Sequence, residues 1–249
     1  MVKKVVIAAA GRGTRMLDLS KDKPKHLIEV NGKPFLWYVL DNLSRAGYKD
    51  ITIVGGYIGE LIEKFISNYN ISNKGEVSIK FVDQFKEINP QEKYGTACPL
   101  MCKEVKNSIG SDQFIFVSGD NLYSVEDLEQ MKKDDDYCYI GGLTHENPEK
   151  YGVLIAEGGF LKEIIEKPKE YVGNLINTGL YKFTPEVFDK LSFIEKSSRG
   201  EYELTDVISL LAKDGKVKVL ELKDGWMDFG NPGDIIKCSK FLNEDNSGR

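Results

Sequence analysis

Residues 3–16 read KKVVIAAAGRGTRM. Val5, Val6 and Ile7 form a β-branched run that suits a buried strand, and Gly11 and Gly13 break it at a turn. A buried strand closed by a glycine turn opens a βαβ unit, and the pattern recurs downstream. Residues 34–47 (PFLWYVLDNLSRAG) place Phe35, Leu36, Val39, Leu40 and Leu43 on one helical face, with Pro34 at the start and Gly47 at the end. Residues 51–56 predict a strand, 59–69 a helix, 77–84 a strand, 95–108 a helix and 114–120 a strand. Such alternation predicts a three-layer, Rossmann-like α/β fold with a mainly parallel central sheet.

After residue 137 the texture changes. Residues 151–168 predict a hairpin turning at Glu157-Gly158-Gly159, and 174–183 another strand. Helices at 185–191 and 203–215, a strand at 216–222 and a closing helix at 233–243 follow. Without repeats or a Pro/Ser-rich linker, one domain over 1–249 is expected: a first part to residue 136, a β-rich insertion over 137–230, and a closing helix and tail over 231–249.

Composition narrows the partners. The 249 residues are 41% hydrophobic and 29% charged, with 8 prolines, as in a globular protein. A net charge of −5 and a pI near 5.3 argue against a nucleic acid partner, which needs a basic face. Locally the balance reverses: Arg12, Arg15, Lys21, Lys23, Lys25 and Lys33 outnumber Asp18, Asp22 and Glu29, so this window is suited to a small anion. The apolar start is too short for a signal peptide and no stretch is long enough for a membrane span, so a cytoplasmic location without membrane contact is expected. Cys98, Cys102, Cys138 and Cys238 lack CxxC spacing, and His26 and His145 lack ligand spacing to them. The cysteines read as small core residues, not as disulfides or a zinc site.

In open parallel sheets, ligands sit beyond the carboxyl ends of the strands. Gly11 to Arg15, Gln84 and Asp120 all fall there and are expected to share one cleft. Gly11 and Gly13 allow positive φ and close approach of backbone N–H groups to an anion. A P-loop would need Gly-Lys-Ser/Thr, which is absent, and a dinucleotide fingerprint would need a small residue where Met16 stands. Two readings stay open: an ordinary strand-to-helix turn, or a phosphate loop whose Arg15 offers a fork of donors. Asp120, ending an apolar strand, reads either as a turn cap or as a metal ligand.

AAAGRGTRM at 8–16, DKPKHL at 22–27 and NGKPFLWYVL at 31–40 together resemble the amino-terminal signature of the sugar-1-phosphate nucleotidylyltransferases. Lys21, Pro24-Lys25 and Lys33-Pro34 are placed as in UTP–glucose-1-phosphate uridylyltransferases. Also similar to the family are GTA at 95–97, GDN at 119–121, YGV at 151–153, EKP at 166–168, NTGLY at 177–181, RGEYELTD at 199–206 and GWMDFGNPGD at 225–234. RGE and GWMDFGNP look most like glucose-1-phosphate thymidylyltransferases.

The resemblance implies a nucleotidyltransferase fold and a Mg²⁺-dependent reaction. An oxygen of a sugar 1-phosphate attacks the α-phosphorus of a nucleoside triphosphate and expels pyrophosphate. Two unit charges 4 Å apart repel by about 4 kcal/mol at an effective dielectric of 20, so the site must neutralise both polyanions. By the same resemblance Arg15 and Lys25 contact the triphosphate, Asp120 and Asp228 hold the metal, and Ala9, Ala10, Gly11, Gly13 and Thr14 bind the nucleotide. Glu166 and Lys167 are implied to take the sugar hydroxyls and the sugar phosphate, with Gly152 and the Asn177-Thr178-Gly179 turn approaching the sugar. Gly95 offers its backbone to the base, Thr96 assists, and Gln84 is preferred over Gln91 as the glutamine that reads the base edge.

The pattern departs at that glutamine, where extra residues precede GTA, and the base stays open between uracil and thymine. Ala10, where thymidylyltransferases commonly carry glycine, leans towards uridylyl transfer, and glucose is the expected sugar. Two alternatives have different chemistry: a silent nucleotide-sugar-binding regulatory module, or a glycosyltransferase on a similar scaffold. The second would be expected to carry an Asp-x-Asp pair that GDNLYS lacks. Homo-oligomerisation is compatible with the chain.

Overall fold

The computed structural model describes residues 2–72, 77–89, 94–223 and 225–247. Its strands are β1 (Lys4–Ala9), β2 (Glu29–Val30), β3 (Lys33–Pro34), β4 (Asp50–Gly55), β5 (Ser78–Asp83), β6 (Phe114–Ser118), β7 (Asn121–Tyr123), β8 (Cys138–Thr144), β9 (Gly152–Glu157), β10 (Phe160–Glu166), β11 (Leu175–Phe183), β12 (Val217–Glu221) and β13 (Trp226–Asp228). The helices are α1 (Phe35–Arg45), α2 (Gly59–Ser72), α3 (Gln84–Glu87), α4 (Cys98–Met101), α5 (Lys103–Ile109), α6 (Val125–Gln130), α7 (Glu186–Lys190), α8 (Leu204–Lys213) and α9 (Asp234–Ser247). Nine strands form one sheet in the order β5-β4-β1-β6-β11-β8-β12-β10-β9.

Period-two alternation in the strands sorts side chains onto the two faces. Val5, Ile7, Ala9, Ile51, Ile53, Ile115 and Val117 pack on one face with Phe35, Leu36, Val39, Leu40 and Leu43 of α1. Val6, Val54, Phe114 and Phe116 pack on the other with Val105 of α5 and Leu204, Val207, Ile208 and Leu211 of α8. Every residue of the expected α1 stripe is buried, and the three-layer arrangement follows. The four cysteines are buried and free.

Parallel pairing occurs in one block of four strands and again between β12 and β8. β5, β4, β1 and β6 run parallel, whereas β11 enters antiparallel to both β6 and β8, and β10 runs antiparallel to β12 and β9. The physical reason is connection length: helical crossovers return the chain parallel, while the short Glu157-Gly158-Gly159 turn permits only a hairpin.

Two element expectations are corrected. Strand β5 stops at Asp83, whose carboxylate accepts a 2.9 Å hydrogen bond from Phe85 N and opens α3, so Gln84 begins a helix. The helix expected over 95–108 is two, because Cys102 between α4 and α5 is extended (φ −66°, ψ 126°). Gly95 and Thr96 are thereby left in a turn outside the helix.

Candidate active site

Strands β1, β5 and β6 share a direction, so the segments after them meet at one end of the sheet and wall a cleft of about 1100 Å³. All but one of the expected site residues line it. The exception is Ala9, whose side chain is 1% exposed in the core. Strand alternation turns Ala8 and Ala10 to the cleft and Ala9 away.

The loop after β1 supplies cations. Gly13 has φ +65°, and a Cβ there would lie 3.1 Å from Lys25 Cβ, so its bare backbone makes room for the buried lysine stem. Gly11 keeps ordinary φ and nothing lies within 4 Å of where its Cβ would be, a correction to the expected glycine pair: only Gly13 takes the left-handed conformation. Thr14 and Arg15 are exposed on the cleft wall. Of the six cations in the basic window, Arg12, Arg15 and Lys25 line the cleft, whereas Lys33 Nζ sits 3.3 Å over the Trp37 ring.

The acidic pair is assembled by a two-stranded ladder of β7 with β13, unanticipated from sequence. Asp228 is opposite Asn121, the neighbour of Asp120, and Phe229 N donates to Asp120 O at 2.8 Å. Phe229 is fully buried and stacks on Phe35 (4.4 Å between centroids, 7° between planes), anchoring the end of β13 to α1. Asp120 forms an ion pair with Lys25. Burial pushes the Asp120 carboxyl up, but the charge and hydrogen bond of Lys25 outweigh it and hold the carboxyl below its ordinary range. Asp228 behaves oppositely: burial, then the negative charge of Asp120, push it up to about 6. Arg15 Cζ and Asp228 Oδ1 each lie 3.4 Å from the point where a Gly230 Cβ would stand, so both side chains flank Gly230.

On one side Gln84 is buried and lines the cleft with Gly95 and Thr96. Gln91 lies outside the described residues. On the opposite side Gly152 and Glu166 are paired across β9 and β10, and a Cβ on Gly152 would be 3.0 Å from Glu166 Oε2. Lys167 takes the left-handed φ of +45°, its N–H donating to Tyr151 O at 3.0 Å, and its Nζ is 3.9 Å from Glu166 Oε1. Asn177 spends its amide within the bulged stretch of β11, donating to Tyr181 Oη at 2.8 Å and accepting from Gly179 N at 3.0 Å. Thr178 is a brace: its hydroxyl donates to Gly141 O at 2.9 Å, and its carbonyl accepts from Tyr123 Oη at 2.7 Å.

Sequence reading assigned no role to several residues that line this cleft. His26 is 2% exposed with Nδ1 unpartnered, and burial, then the Lys25 charge, lower its pKa to about 3, so the ring is neutral. Arg12 Nε donates to Tyr94 Oη at 2.7 Å, linking the glycine loop to the segment before Gly95. Arg199 and Glu203 belong to the RGEYELTD stretch, whose charge density in an otherwise apolar helix start was the available signal.

A glycine loop studded with cations and a carboxylate pair, all at the carboxyl end of a parallel block, define a nucleotide-handling α/β protein. The family model described as "Nucleotidyl transferase" matches residues 4–245, and the chain belongs to this family of enzymes. It is 34% identical to the UTP–glucose-1-phosphate uridylyltransferase AglF of Haloferax volcanii, the match covering 97% of each chain. It is 35% identical to a bifunctional sugar-1-phosphate nucleotidylyltransferase/acetyltransferase of Sulfurisphaera tokodaii, over 96% of this chain and 55% of that protein. In fold it matches a UDP-glucose pyrophosphorylase solved with UDP-glucose, at TM-score 0.82 and 24% identity, over 98% of this chain and 100% of that one. Among the described residues no helix is long and apolar enough to cross a membrane.

Proposed function

We propose that the protein joins a nucleoside triphosphate to a hexose 1-phosphate, releasing pyrophosphate, with UTP and glucose 1-phosphate as the preferred pair. The observation that carries this reading is the convergence of Arg15, Lys25, Asp120 and Asp228 in a cleft whose far wall bears Glu166 and Lys167. The uridylyltransferase relative and Ala10 favour uracil.

Asp120 and Asp228 fit a hard divalent cation such as Mg²⁺. They supply oxygen donors, and the pair carries a buried negative charge that Lys25 only partly offsets. When bound, such an ion supplies charge neutralisation at the phosphates. Phosphate and water oxygens would complete its shell, since no group of three or more His, Cys, Asp or Glu placed to hold a metal ion occurs among the described residues.

The chain's own residues bind and orient. The glycine loop and Arg15 take phosphate oxygens of the triphosphate, and Lys25 reaches the same region from beneath Gly13. Lys167 holds the sugar phosphate while Glu166 accepts from sugar hydroxyls. A phosphate oxygen of the sugar then forms its bond to the α-phosphorus as the bond to the pyrophosphate oxygen breaks, and no protein nucleophile is required.

The test is pyrophosphate release from UTP, dTTP and other triphosphates, each with a panel of sugar 1-phosphates and Mg²⁺. Release with UTP and glucose 1-phosphate is expected. No release across the panel defeats the reading, and binding without turnover would favour a regulatory module.

A further inference from the structure

Glu203 is 8% exposed, and a buried carboxylate persists only where its oxygens are engaged. Its partners come from two segments remote in the chain. Thr96 Oγ1 donates to Oε2 at 3.1 Å, while Ser197 Oγ and Arg199 Nη2 donate to Oε1 at 3.0 and 2.8 Å. Thr96 in turn accepts the first N–H of α8, from Leu204, at 2.8 Å, although the two are 108 residues apart. Ala97 N donates to Tyr202 O at 3.0 Å. Gly95, at φ +134°, has room for no side chain, since a Cβ would stand 2.5 Å from Tyr202 O. The Gly95–Thr96 turn is therefore zipped onto the segment before α8.

The same segment carries Arg199 at the tip of a tight turn, in which Gly200 N donates to Ser197 O at 2.8 Å and Ser197 N to Glu201 O at 2.9 Å. The Arg199 side chain is 61% exposed and lines the cleft. Glu203 engages one of its terminal nitrogens, and a guanidinium has further donors for a second anion.

We propose that Glu203 is a positioning residue that sets the nucleotide-side turn and the Arg199 arm together, so that one buried carboxylate fixes both substrate subsites. This rests on the reading of the cleft given under Proposed function. Thr96 faces the triphosphate's side, Arg199 is directed at the phosphate of the second substrate, and loosening either tether releases the other.

The experiment measures kcat and both KM values for wild type, Glu203→Gln, Thr96→Val, Thr96→Ser and the double variant Thr96→Val/Glu203→Gln, with thermal melts of each. Glu203→Gln is expected to raise the KM for UTP and for glucose 1-phosphate together, each roughly 10-fold, the loss of one or two charge-assisted hydrogen bonds. Thr96→Val should raise the KM for glucose 1-phosphate, Thr96→Ser should restore it, and the Thr96→Val effect should vanish in the Glu203→Gln background. A lowered Tm with both KM values within 2-fold of wild type marks a merely structural carboxylate and overturns the proposal, as does a change confined to one substrate. Should Glu203→Gln fail to fold, the Thr96→Val and Thr96→Ser pair decides through the same KM. A wild type that releases no pyrophosphate would instead sink the functional reading itself, and this inference with it.

Discussion

Asp228 and His26 have ionisation shifted by burial in ways that make opposite demands on stability. An Asp228 carboxyl that titrates near 6 when folded, against 3.8 ordinarily, binds its proton more tightly in the native state. Folding therefore gains as pH falls from about 6 towards 4, and at pH 7 the ionised group is a burden of about 1–3 kcal/mol. Asp228→Asn should raise the Tm of the metal-free protein at pH 7 by several degrees and still lower turnover by at least roughly 100-fold, since the second carboxylate is gone. Calorimetry with and without Mg²⁺ checks this, because the ion should stabilise wild type more than the variant; equal stabilisation would remove Asp228 from the metal site. His26 has the reverse sign. Its imidazole titrates near 6.5 unfolded and about 3 folded, so the unfolded chain binds the extra proton in that window. Stability should fall as pH drops from 6.5 towards 3, by up to about 1.4 kcal/mol per unit. Urea melts of His26→Leu across that range should show a shallower acid slope than wild type, and identical slopes would contradict the neutral buried ring.

Among the elements, the short ladder of β7 with β13 carries much of the site's geometry. Its anchor is the Phe35–Phe229 stack, which joins the start of α1 to the residue after Asp228. Phe229→Ala should lower stability by about 3–5 kcal/mol. It should also depress kcat more than Phe35→Leu, because only Phe229 adjoins Asp228 in the chain; equal losses in kcat at matched stability would show that the stack serves packing alone. The glycine loop makes a second demand. Gly13→Ala places a Cβ against the Lys25 stem at positive φ, a local strain of roughly 1–2 kcal/mol. Affinity for UTP should fall while the far-UV spectrum stays unchanged, and a variant that binds UTP normally would refute the requirement for a bare backbone there. A continuous β-branched run closed by a glycine turn made β1 readable, and helical periodicity did the same for α1. The ladder was hidden because three-residue strands carry no periodicity, and α4 and α5 merged because Cys102 breaks the helix by its backbone rather than by composition.

For the whole molecule, one sheet runs from β5 to β9 and carries both walls of the cleft. Thermal unfolding should therefore appear as one cooperative transition, with far-UV dichroism and the fluorescence of Trp37 and Trp226 superposing. Two separated transitions would show that the part beyond residue 137 folds by itself. Much of the arrangement was legible in one dimension: hydrophobic periodicity is local, so the alternation of strands and helices, the α1 stripe and the glycine loop all stand in the residues themselves. Motifs likewise pointed to Arg15, Lys25, Asp120 and Asp228 one at a time. The resemblance implied that they meet, but the hydrogen bonds between remote segments that bring Asp120 and Asp228 together could not be read that way. Nor could the turn of Ala9 towards the core, the Lys25–Asp120 pairing, or the tether from Thr96 through Glu203 to Arg199. Local pattern follows from the chemistry of neighbouring residues; the fields and contacts that shape this cleft depend on distances that exist only after the sheet has closed around them.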